Sequence, residues 1–271
     1  MSRAIVAFDE LVAEAVSAPF TGWDFSWLDA RSSTKDLPWS YCAEVGRYSA
    51  RARTMLDMGT GGGEELARIR PRPALTIATE SWRPNVPVAA RRLKPLGIPL
   101  VHCDGAPDNM SDEGLSAVTD RAGLLPFADG ALDVVINRHE SFRADELARV
   151  LAPGGRFVTQ QVDYHSDAAL FELLGLDPPD EPQTWLPLAT AQLTEAGLTV
   201  AHSEAGEGVR YFAHIGAVIY YLKVVGWEIP QYNLEAFLPV LRAAWEKPGT
   251  WPLPVSGRRF IVVAKNAATT A

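Results

Sequence analysis

Two carboxylates stand next to sequence features that suit the binding of a small polar ligand. Asp57 lies just before the glycine-rich stretch GTGGG at 59–63, and Glu80 closes the apolar run at 74–80. A glycine-rich turn lets the backbone approach a ligand closely and leaves amide groups pointing at it. Asp57 adds a negative charge, while Glu80 has two acceptor oxygens for a pair of hydroxyls. Together they predict a ligand site built from consecutive parts of the chain.

The spacing of the glycines excludes two common nucleotide-binding patterns. A dinucleotide fingerprint, GxGxxG, requires a third glycine at the position that Glu64 occupies. A phosphate-binding P-loop requires Gly-Lys followed by Ser or Thr, which this stretch lacks. What remains is an acid two residues before a GxGxG pattern.

The elements that must position these residues alternate between strands and helices. Apolar runs with strand patterning lie at 54–58, 74–80, 98–104, 131–137, 156–162, 198–204 and 258–265. Helical patterns intervene between them, another spans 5–17, and Pro153 and Gly154 are expected to close the helix before the fifth run. This alternation predicts a mostly parallel sheet with helices on both faces.

Four motifs in order resemble those of the class I S-adenosylmethionine-dependent methyltransferases. They are LDMGTGGGE, ATESWRPNVPVAARRLKPLG, LLPFADGALDVVINRHESF and ELARVLAPGGRFVTQQV, which together cover about 53–162. Their order is more specific than the glycines alone, and their extended forms look like a bacterial subgroup whose acceptor is unknown. The resemblance implies a doubly wound, Rossmann-like sheet of seven strands and S-adenosylmethionine as the cofactor.

The resemblance also implies roles for individual residues at the cofactor. Asp57 is expected to face the methionine ammonium, Gly59 and Gly61 to line the methionine portion, and Gly63 to permit close helix packing. Glu80 is expected to bind the ribose hydroxyls, and Trp82 either lies on the adenine face or simply packs. The complete predicted set is Asp57, Gly59, Thr60, Gly61, Gly63, Glu80, Ser81, Trp82, Asp104, Asp120 and Asn137.

The acid that meets the adenine amino group has two candidates. Asp104 lies at the end of a convincing strand, but 21 positions separate it from Leu125 of the LPF motif. Asp120 has nearly the spacing of the family, yet it follows a stretch that looks like an insertion. Strand position favours Asp104, and both alternatives stay open.

His139 and Glu140, just past the fourth run, are the candidate catalytic residues. Methyl transfer needs a nucleophile aligned with the S–CH₃ bond, and a general base helps when the acceptor is a hydroxyl or a protonated amine. His139 is the first candidate base, with Glu140 orienting it or acting in its place. A loop histidine beside an acid is also common as a structural pair. No spacing of histidines or cysteines suggests a metal.

The termini of the chain are expected to supply a cap. Residues 1–52 are predicted to form a helical cap or lid that carries Phe20, Trp23, Phe25, Trp27, Trp39 and Tyr41. Residues 53–271 form the cofactor-binding domain, with a helical insertion at about 207–250. Its segment 211–227 is apolar nearly all round as a helix, so burial is expected. Aromatic side chains suit a flat or apolar acceptor.

Composition narrows the class of partner. The formal net charge of −8 argues against standing nucleic-acid partners, because phosphate affinity depends on Lys and Arg. The N-terminus lacks a basic region followed by an apolar run, so a cytoplasmic protein without a membrane partner is expected. The predicted function is methyl transfer to oxygen or nitrogen of a small molecule. The alternatives are an RNA or protein methyltransferase and a non-catalytic cofactor binder, and the chain is expected to be a monomer or homodimer.

Overall fold

The computed structural model describes residues 7–109, 122–163, 168–177, 184–226, 229 and 232–267. The helices are α1 (Phe8–Ser17), α2 (Tyr41–Ser49), α3 (Glu64–Arg68), α4 (Val86–Leu93), α5 (Ala144–Val150), α6 (Ala168–Leu173), α7 (Trp185–Glu195), α8 (Ile215–Val225) and α9 (Leu234–Glu246). The strands are β1 (Ser32–Lys35), β2 (Thr54–Met58), β3 (Leu75–Glu80), β4 (Leu100–His102), β5 (Leu132–Arg138), β6 (Leu151–Val162), β7 (Thr199–Phe212) and β8 (Leu253–Lys265). Among these helices, none has the length and apolar character needed to cross a membrane.

The strands form one mixed sheet in the order β1-β7-β8-β6-β5-β2-β3-β4. The run from β6 to β4 is parallel throughout, whereas β8 pairs antiparallel with both β6 and β7. The mostly parallel α/β architecture is as predicted, but the described sheet has eight strands rather than seven. The additional strand is β1, which pairs antiparallel with β7 at the edge. Its sequence, SSTK, carries no apolar alternation, so only the pairing with β7 identifies it.

The order of the strands reverses at β2, which lies between β3 and β5. The chain leaves β2 toward β3 and β4, then returns to the other side of β2 as β5. In open α/β sheets, ligands bind outside the carboxyl ends of the strands at such a switch point. The glycine-rich turn and the segment beginning at His139 both follow strands that end here.

The strands β7 and β8 are longer than their sequence patterns indicate. Strand β6 ends at the pair Val162–Arg259. From there β7 and β8 continue as a pair without β6, from the pair Gly206–Arg259 to the pair Phe212–Leu253. We call this extension, together with β1, the antiparallel wing. It includes Gly206, Gly208 and Gly257, which interrupt the apolar alternation and explain why the strands were predicted too short. The predicted helix at 211–227 is correspondingly α8, which begins only at Ile215.

Three apolar clusters hold the sheet and cap together. One face buries Val45 of α2, Leu66 of α3 and Leu93 of α4 against the central strands. The opposite face buries Leu147 of α5 and Leu193 of α7. The third cluster is the cap, in which α1, α6, α8 and α9 pack together with the far end of the wing.

Several element boundaries differ from those that the sequence predicts. The first described helix begins at Phe8, and α5 ends at Val150, with Pro153 and Gly154 inside β6 rather than closing the helix. The segment 1–52 contains α1, β1 and α2. The segment at about 207–250 contains α8 and α9, preceded by the last residues of β7.

Candidate active site

The glycine-rich turn after β2 adopts a conformation that side chains disfavour. Gly59, Gly61 and Gly63 have φ of 71°, 62° and 79°, in the left-handed region. The turn is fixed to β3, because the Thr60 amide donates to the Thr79 carbonyl at 2.8 Å. A Cβ on Gly63 would lie 3.0 Å from Leu93 Cγ, so this glycine permits α4 to pack closely.

Asp57 is a buried carboxylate at the base of this turn. Its side chain accepts a hydrogen bond from the Thr60 hydroxyl at 2.6 Å. Its pKa is raised to about 7, chiefly by burial and also by the nearby carboxylates of Glu65 and Glu80, against the lowering effect of the Thr60 hydrogen bond. Near neutral pH Asp57 is therefore close to the midpoint of its titration. A positive charge beside it would favour the ionised form.

Glu80, at the end of β3, connects the turn to the next loop. One carboxylate oxygen accepts from the Gly61 amide and the other from the Trp82 amide, both at 2.7 Å. Burial raises its pKa, and these two backbone hydrogen bonds lower it. Each oxygen retains a second lone pair, so the carboxylate is held in a fixed orientation with acceptor capacity left for a ligand.

Glu140, two residues after β5, lies against the same turn. A Cβ on Gly59 would come within 2.4 Å of Glu140 Cγ, so the two residues touch only because Gly59 has no side chain. Burial and the Glu80 carboxylate raise the pKa of Glu140 to about 7. Among the described residues, no Lys or Arg forms an ion pair with Asp57, Glu80 or Glu140. We refer to these three residues as the acidic triad.

His139 has a backbone conformation that is rare for its residue type. Its φ is 58°, and it is the one non-glycine residue of the described ranges with a positive φ. Strained backbone of this kind tends to occur at functional sites. The sequence offers no sign of it, because glycine or asparagine would be the usual residue there.

A hydrogen-bonded chain orients the His139 ring. The Trp39 indole donates to the Gln160 side-chain oxygen at 2.9 Å, and the Gln160 amide nitrogen lies 3.3 Å from His139 Nε2. In this arrangement Nε2 accepts and Nδ1 carries the ring hydrogen. His139 is solvent-accessible but lies deep in a cavity, where the surrounding protein, Arg138 and Arg259 lower its pKa well below the usual value. The ring is therefore neutral at pH 7.

A second network lies beneath the loop that carries these residues. The buried Asn137 side chain accepts from the Thr159 hydroxyl at 2.8 Å and from the Gln161 amide at 2.6 Å. Gln161 also donates to the Glu140 carbonyl, and the Tyr41 hydroxyl donates to the Asn137 carbonyl. This network fixes the backbone on both sides of His139. Asn137 Nδ2 has no described hydrogen-bond partner.

The N-terminal segment covers the glycine-rich turn. The Trp23 ring lies against Gly61, where a Cβ would be 2.6 Å from Trp23 Cδ1. Arg92 links the two parts, since it pairs with Asp24 at 3.6 Å and with Glu64 at the start of α3. The lid predicted from the sequence thus has a contact point on the turn itself.

These groups line a single cavity of about 1550 Å³. Its walls include most of the predicted site residues: Asp57, Gly59, Thr60, Gly61, Glu80, Ser81, Trp82, His139 and Glu140. Gly63 and Asn137 are not on its surface, and their contacts are those described above. Asp104 is exposed and does not border it, and Asp120 lies outside the described residues. The Trp82 side chain is 64% exposed, so nothing packs over most of it.

The cavity wall also includes arginines that were not predicted as part of the site, among them Arg138, Arg210 and Arg259. Arg138 pairs with Glu65 at 2.9 Å, across the gap between β5 and α3. Arg210 and Arg259 lie in the antiparallel wing, which has no counterpart among the motifs. An arginine within a strand belongs to no recognisable motif, so the sequence alone does not mark it as a site residue.

Comparisons with known proteins bear on the fold. No protein-family model matches the sequence, and no curated protein matches it. Among solved structures, a candidate methyltransferase from Bacillus halodurans C-125 matches with a TM-score of 0.54 and 14% identity, over 84% of this chain and 99% of that chain. The YcgJ protein from Bacillus subtilis matches with a TM-score of 0.53 and 15% identity, over 84% and 98%. A protein of unknown function from Deinococcus radiodurans R1 matches with a TM-score of 0.50 and 13% identity, over 86% and 91%.

The chain has the class I methyltransferase fold. The antiparallel β6–β8–β7 arrangement and the parallel strands on the other side of β6 together form the Rossmann-like sheet expected from the motifs. In this methyltransferase fold the switch point lies at β2 and β5, which is where the acidic triad converges.

Proposed function

We propose that this protein transfers a methyl group from S-adenosylmethionine to an oxygen or nitrogen atom of a small molecule. The observation that carries the proposal is the acidic triad at the glycine-rich turn. Buried carboxylates near one another cannot all ionise without a compensating cation. A ligand that carries an ammonium and a sulfonium group supplies positive charge at this place.

The residues of the turn fit such a ligand. Asp57 and Glu140 would face the ammonium end, and Glu80 would accept from the ribose hydroxyls with the lone pairs that its backbone contacts leave free. The backbone of Gly59 and Gly61 can approach the ligand because neither carries a side chain. The cavity volume exceeds the roughly 300–1,000 Å³ of typical ligand pockets, so a second molecule has room beside the cofactor.

When bound, the cofactor supplies a methyl group that its sulfonium already activates. The protein then needs to orient an acceptor, exclude water and take up a proton. His139 is neutral at pH 7, which suits a base. Its Nε2 contact with Gln160 has to be exchanged for one with the acceptor before that nitrogen can accept a proton. Glu140, with a pKa of about 7, is the second candidate.

Several features favour a small acceptor over RNA. The net charge is −8, and the lid places Trp23 over the turn, which narrows access for a large substrate. Phe25, Phe212 and Tyr221 line the cavity and give the remaining space an apolar surface. An aromatic or aliphatic molecule matches these walls.

Calorimetry with S-adenosylmethionine and with NAD tests the cofactor. Wild type should bind the first and not the second, and Asp57→Asn should weaken binding by about tenfold or more, since it removes a charge-assisted contact. Glu10→Gln is the matched control, because Glu10 is exposed on α1 outside the cavity. Tight binding of NAD with no response to the methyl donor would contradict the proposal.

Turnover separates an enzyme from a non-catalytic binder. S-adenosylhomocysteine should accumulate when the protein is incubated with cofactor and a panel of hydroxylated and aminated small molecules. If the cofactor binds but no acceptor, including RNA and protein extracts, gives product, the enzymatic part of the proposal fails.

A further inference from the structure

The antiparallel wing contributes two arginines to one part of the cavity wall. Arg210 belongs to β7 and Arg259 to β8, and both line the cavity. Arg259 pairs with Gly206, and Arg210 follows Gly206 by four residues on the same strand. Residues two or four apart on a strand share a face, and directly paired residues do so as well. The two guanidinium groups therefore project from one face of the sheet.

This face is the one that carries the candidate base. Arg259 pairs with Val162 of β6, and Gln160, two residues earlier, is therefore on the same face. Gln160 contacts His139, and Arg259 is near enough to contribute to the low pKa of that ring. Arg210 lies farther from His139. The four residues that separate it from Gly206, the partner of Arg259, span roughly 13 Å at about 3.3 Å per residue. A molecule of moderate length can reach from one arginine to His139.

Three glycines lie on the same face as the arginines. Gly206 is paired with Arg259, and Gly208 and Gly257 are paired with each other between Arg259 and Arg210. The loop after β1 packs there, with the Trp39 ring and Pro38 against Gly206. Phe212 and Val255 continue the face toward the cap as apolar surface. The part of the cavity wall formed by the wing thus combines two guanidinium groups with apolar side chains.

Arg210 has no carboxylate partner among the described residues. Its guanidinium donates to the Ser32 hydroxyl at 2.9 Å and forms no ion pair with a carboxylate of the described ranges. Asp29 and Asp36 also border the cavity, and neither lies within ion-pair distance of Arg210. A half-buried guanidinium without a partner carboxylate has donors left for a ligand.

The acidic triad and the wing arginines lie in two different parts of the cavity. The acidic triad lies at the carboxyl ends of β2, β3 and β5, and the arginines lie in the wing beside β6. The first part matches a cationic cofactor. The wing arginines match a negatively charged group on a molecule that lies beside the cofactor.

We propose that Arg210 forms an anion subsite that anchors a carboxylate or phosphate group of the acceptor, with Arg259 adding positive charge nearer to His139. The acceptor is then an acidic small molecule with an apolar body, whose nucleophilic atom lies nearer to His139 than its acidic group does. The inference rests on the proposed function for the identity of the acceptor, while the anion subsite itself is independent of the cofactor. Arg210 and Arg259 are specificity-determining residues and take no part in the transfer.

A matched set of probes tests the subsite directly. Benzoate, phenyl phosphate and the neutral benzamide share an aromatic body and differ in charge, and each is titrated into the protein saturated with S-adenosylhomocysteine. Wild type should bind at least one of the two anions about tenfold or more tightly than benzamide. The anion that binds better distinguishes a carboxylate acceptor from a phosphate acceptor. The preference should weaken as the salt concentration rises.

Variants link the preference to the named residues. Arg210→Gln should remove most of the preference, Arg210→Lys should retain part of it, and Arg259→Gln should weaken it by a smaller factor than Arg210→Gln. Arg47→Gln, an equal change of charge on an exposed part of α2 outside the cavity, should retain all of it. Circular dichroism and thermal unfolding identify any variant that is not folded, and the salt titration of wild type does not depend on variants.

The outcomes separate this inference from the proposed function. If benzamide binds as tightly as the anions, if neither anion binds, or if the preference survives Arg210→Gln, the anion subsite is refuted even where S-adenosylhomocysteine binds normally. If the anions bind as expected but S-adenosylhomocysteine does not bind at all, the cofactor proposal fails while the subsite stands. Repeating the same titrations without S-adenosylhomocysteine shows whether the anions bind when the cofactor site is empty.

Discussion

The buried carboxylate of Asp57 should reduce the stability of the ligand-free protein, and its removal should restore that stability. We consider the change Asp57→Asn, which preserves shape and leaves an oxygen to accept from the Thr60 hydroxyl. The pKa of Asp57 is raised from 3.8 to about 7, chiefly by burial. One pKa unit corresponds to about 1.4 kcal/mol. Ionising this group therefore costs about 4 kcal/mol more in the folded chain than in the unfolded chain.

The sign of the pH dependence follows from the direction of the shift. A carboxyl whose pKa is raised on folding contributes stability that is fully present below its unfolded pKa and is lost as the pH rises through its folded value. For Asp57 this window extends from about pH 4 to about pH 7. The advantage of the Asn variant should grow across the window and approach about 4 kcal/mol at about pH 8. Glu140 adds a loss of the same sign in wild type and in the variant.

Urea unfolding followed by tryptophan fluorescence from about pH 4 to about pH 9 measures this difference. Asp104→Asn, an exposed position outside the cavity, serves as the control and should keep the wild-type dependence. S-adenosylhomocysteine should reverse the order, because its ammonium group compensates the carboxylate only in wild type. A variant with an unchanged pH dependence, or one less stable than wild type at about pH 8, would refute the reasoning.

The remaining predictions concern the base and the turn. His139→Ala should lower kcat at least about a hundredfold with the cofactor affinity preserved. In wild type, kcat should stay constant on acidification until well below pH 6.5, since desolvation by the surrounding protein and the nearby Arg138 and Arg259 lower the pKa of His139. Unchanged turnover in His139→Ala would remove the residue from the mechanism. Gly59→Ala should abolish cofactor binding, because its Cβ would lie 2.4 Å from Glu140 Cγ. Gly61→Ala should bind cofactor more weakly but measurably, since its Cβ meets the Trp23 ring, whose side chain is 47% exposed and can move. Equal affinities in a calorimetric comparison of the two variants would contradict this difference.

The core of the site was predictable because parallel strands impose their own geometry. The carboxyl ends of adjacent parallel strands meet at one edge, so Asp57, Glu80 and His139 had to converge once their strands were identified. Three of the four strand ends near the switch point were recognisable from apolar runs bounded by glycine or polar residues. The exception is β4, which ends at His102, two residues before Asp104. Asp104 therefore lies in an exposed segment instead of at a strand end.

The wing and the contact of the N-terminal segment with the turn were not predictable, because both depend on contacts between residues distant in sequence. The polar strand Ser32–Lys35 forms only through its pairing with β7, almost 180 residues later, as the Ser32–Phe212 pair shows. Glycines that interrupt an apolar pattern usually indicate a turn, yet Gly206 and Gly208 lie inside β7 so that a loop can pack on them. The contact of Trp23 with Gly61 is likewise a property of the folded chain.

A crystal structure with S-adenosylhomocysteine tests the central claim most directly. The account predicts the nucleoside at the carboxyl ends of β2 and β3, with the ribose hydroxyls within hydrogen-bonding distance of Glu80 and the ammonium group beside Asp57. The Glu140 side chain should lie next to the amino acid portion of the ligand. Density for the ligand elsewhere in the chain, or a ligand in this cleft that touches neither Asp57 nor Glu80, would contradict it.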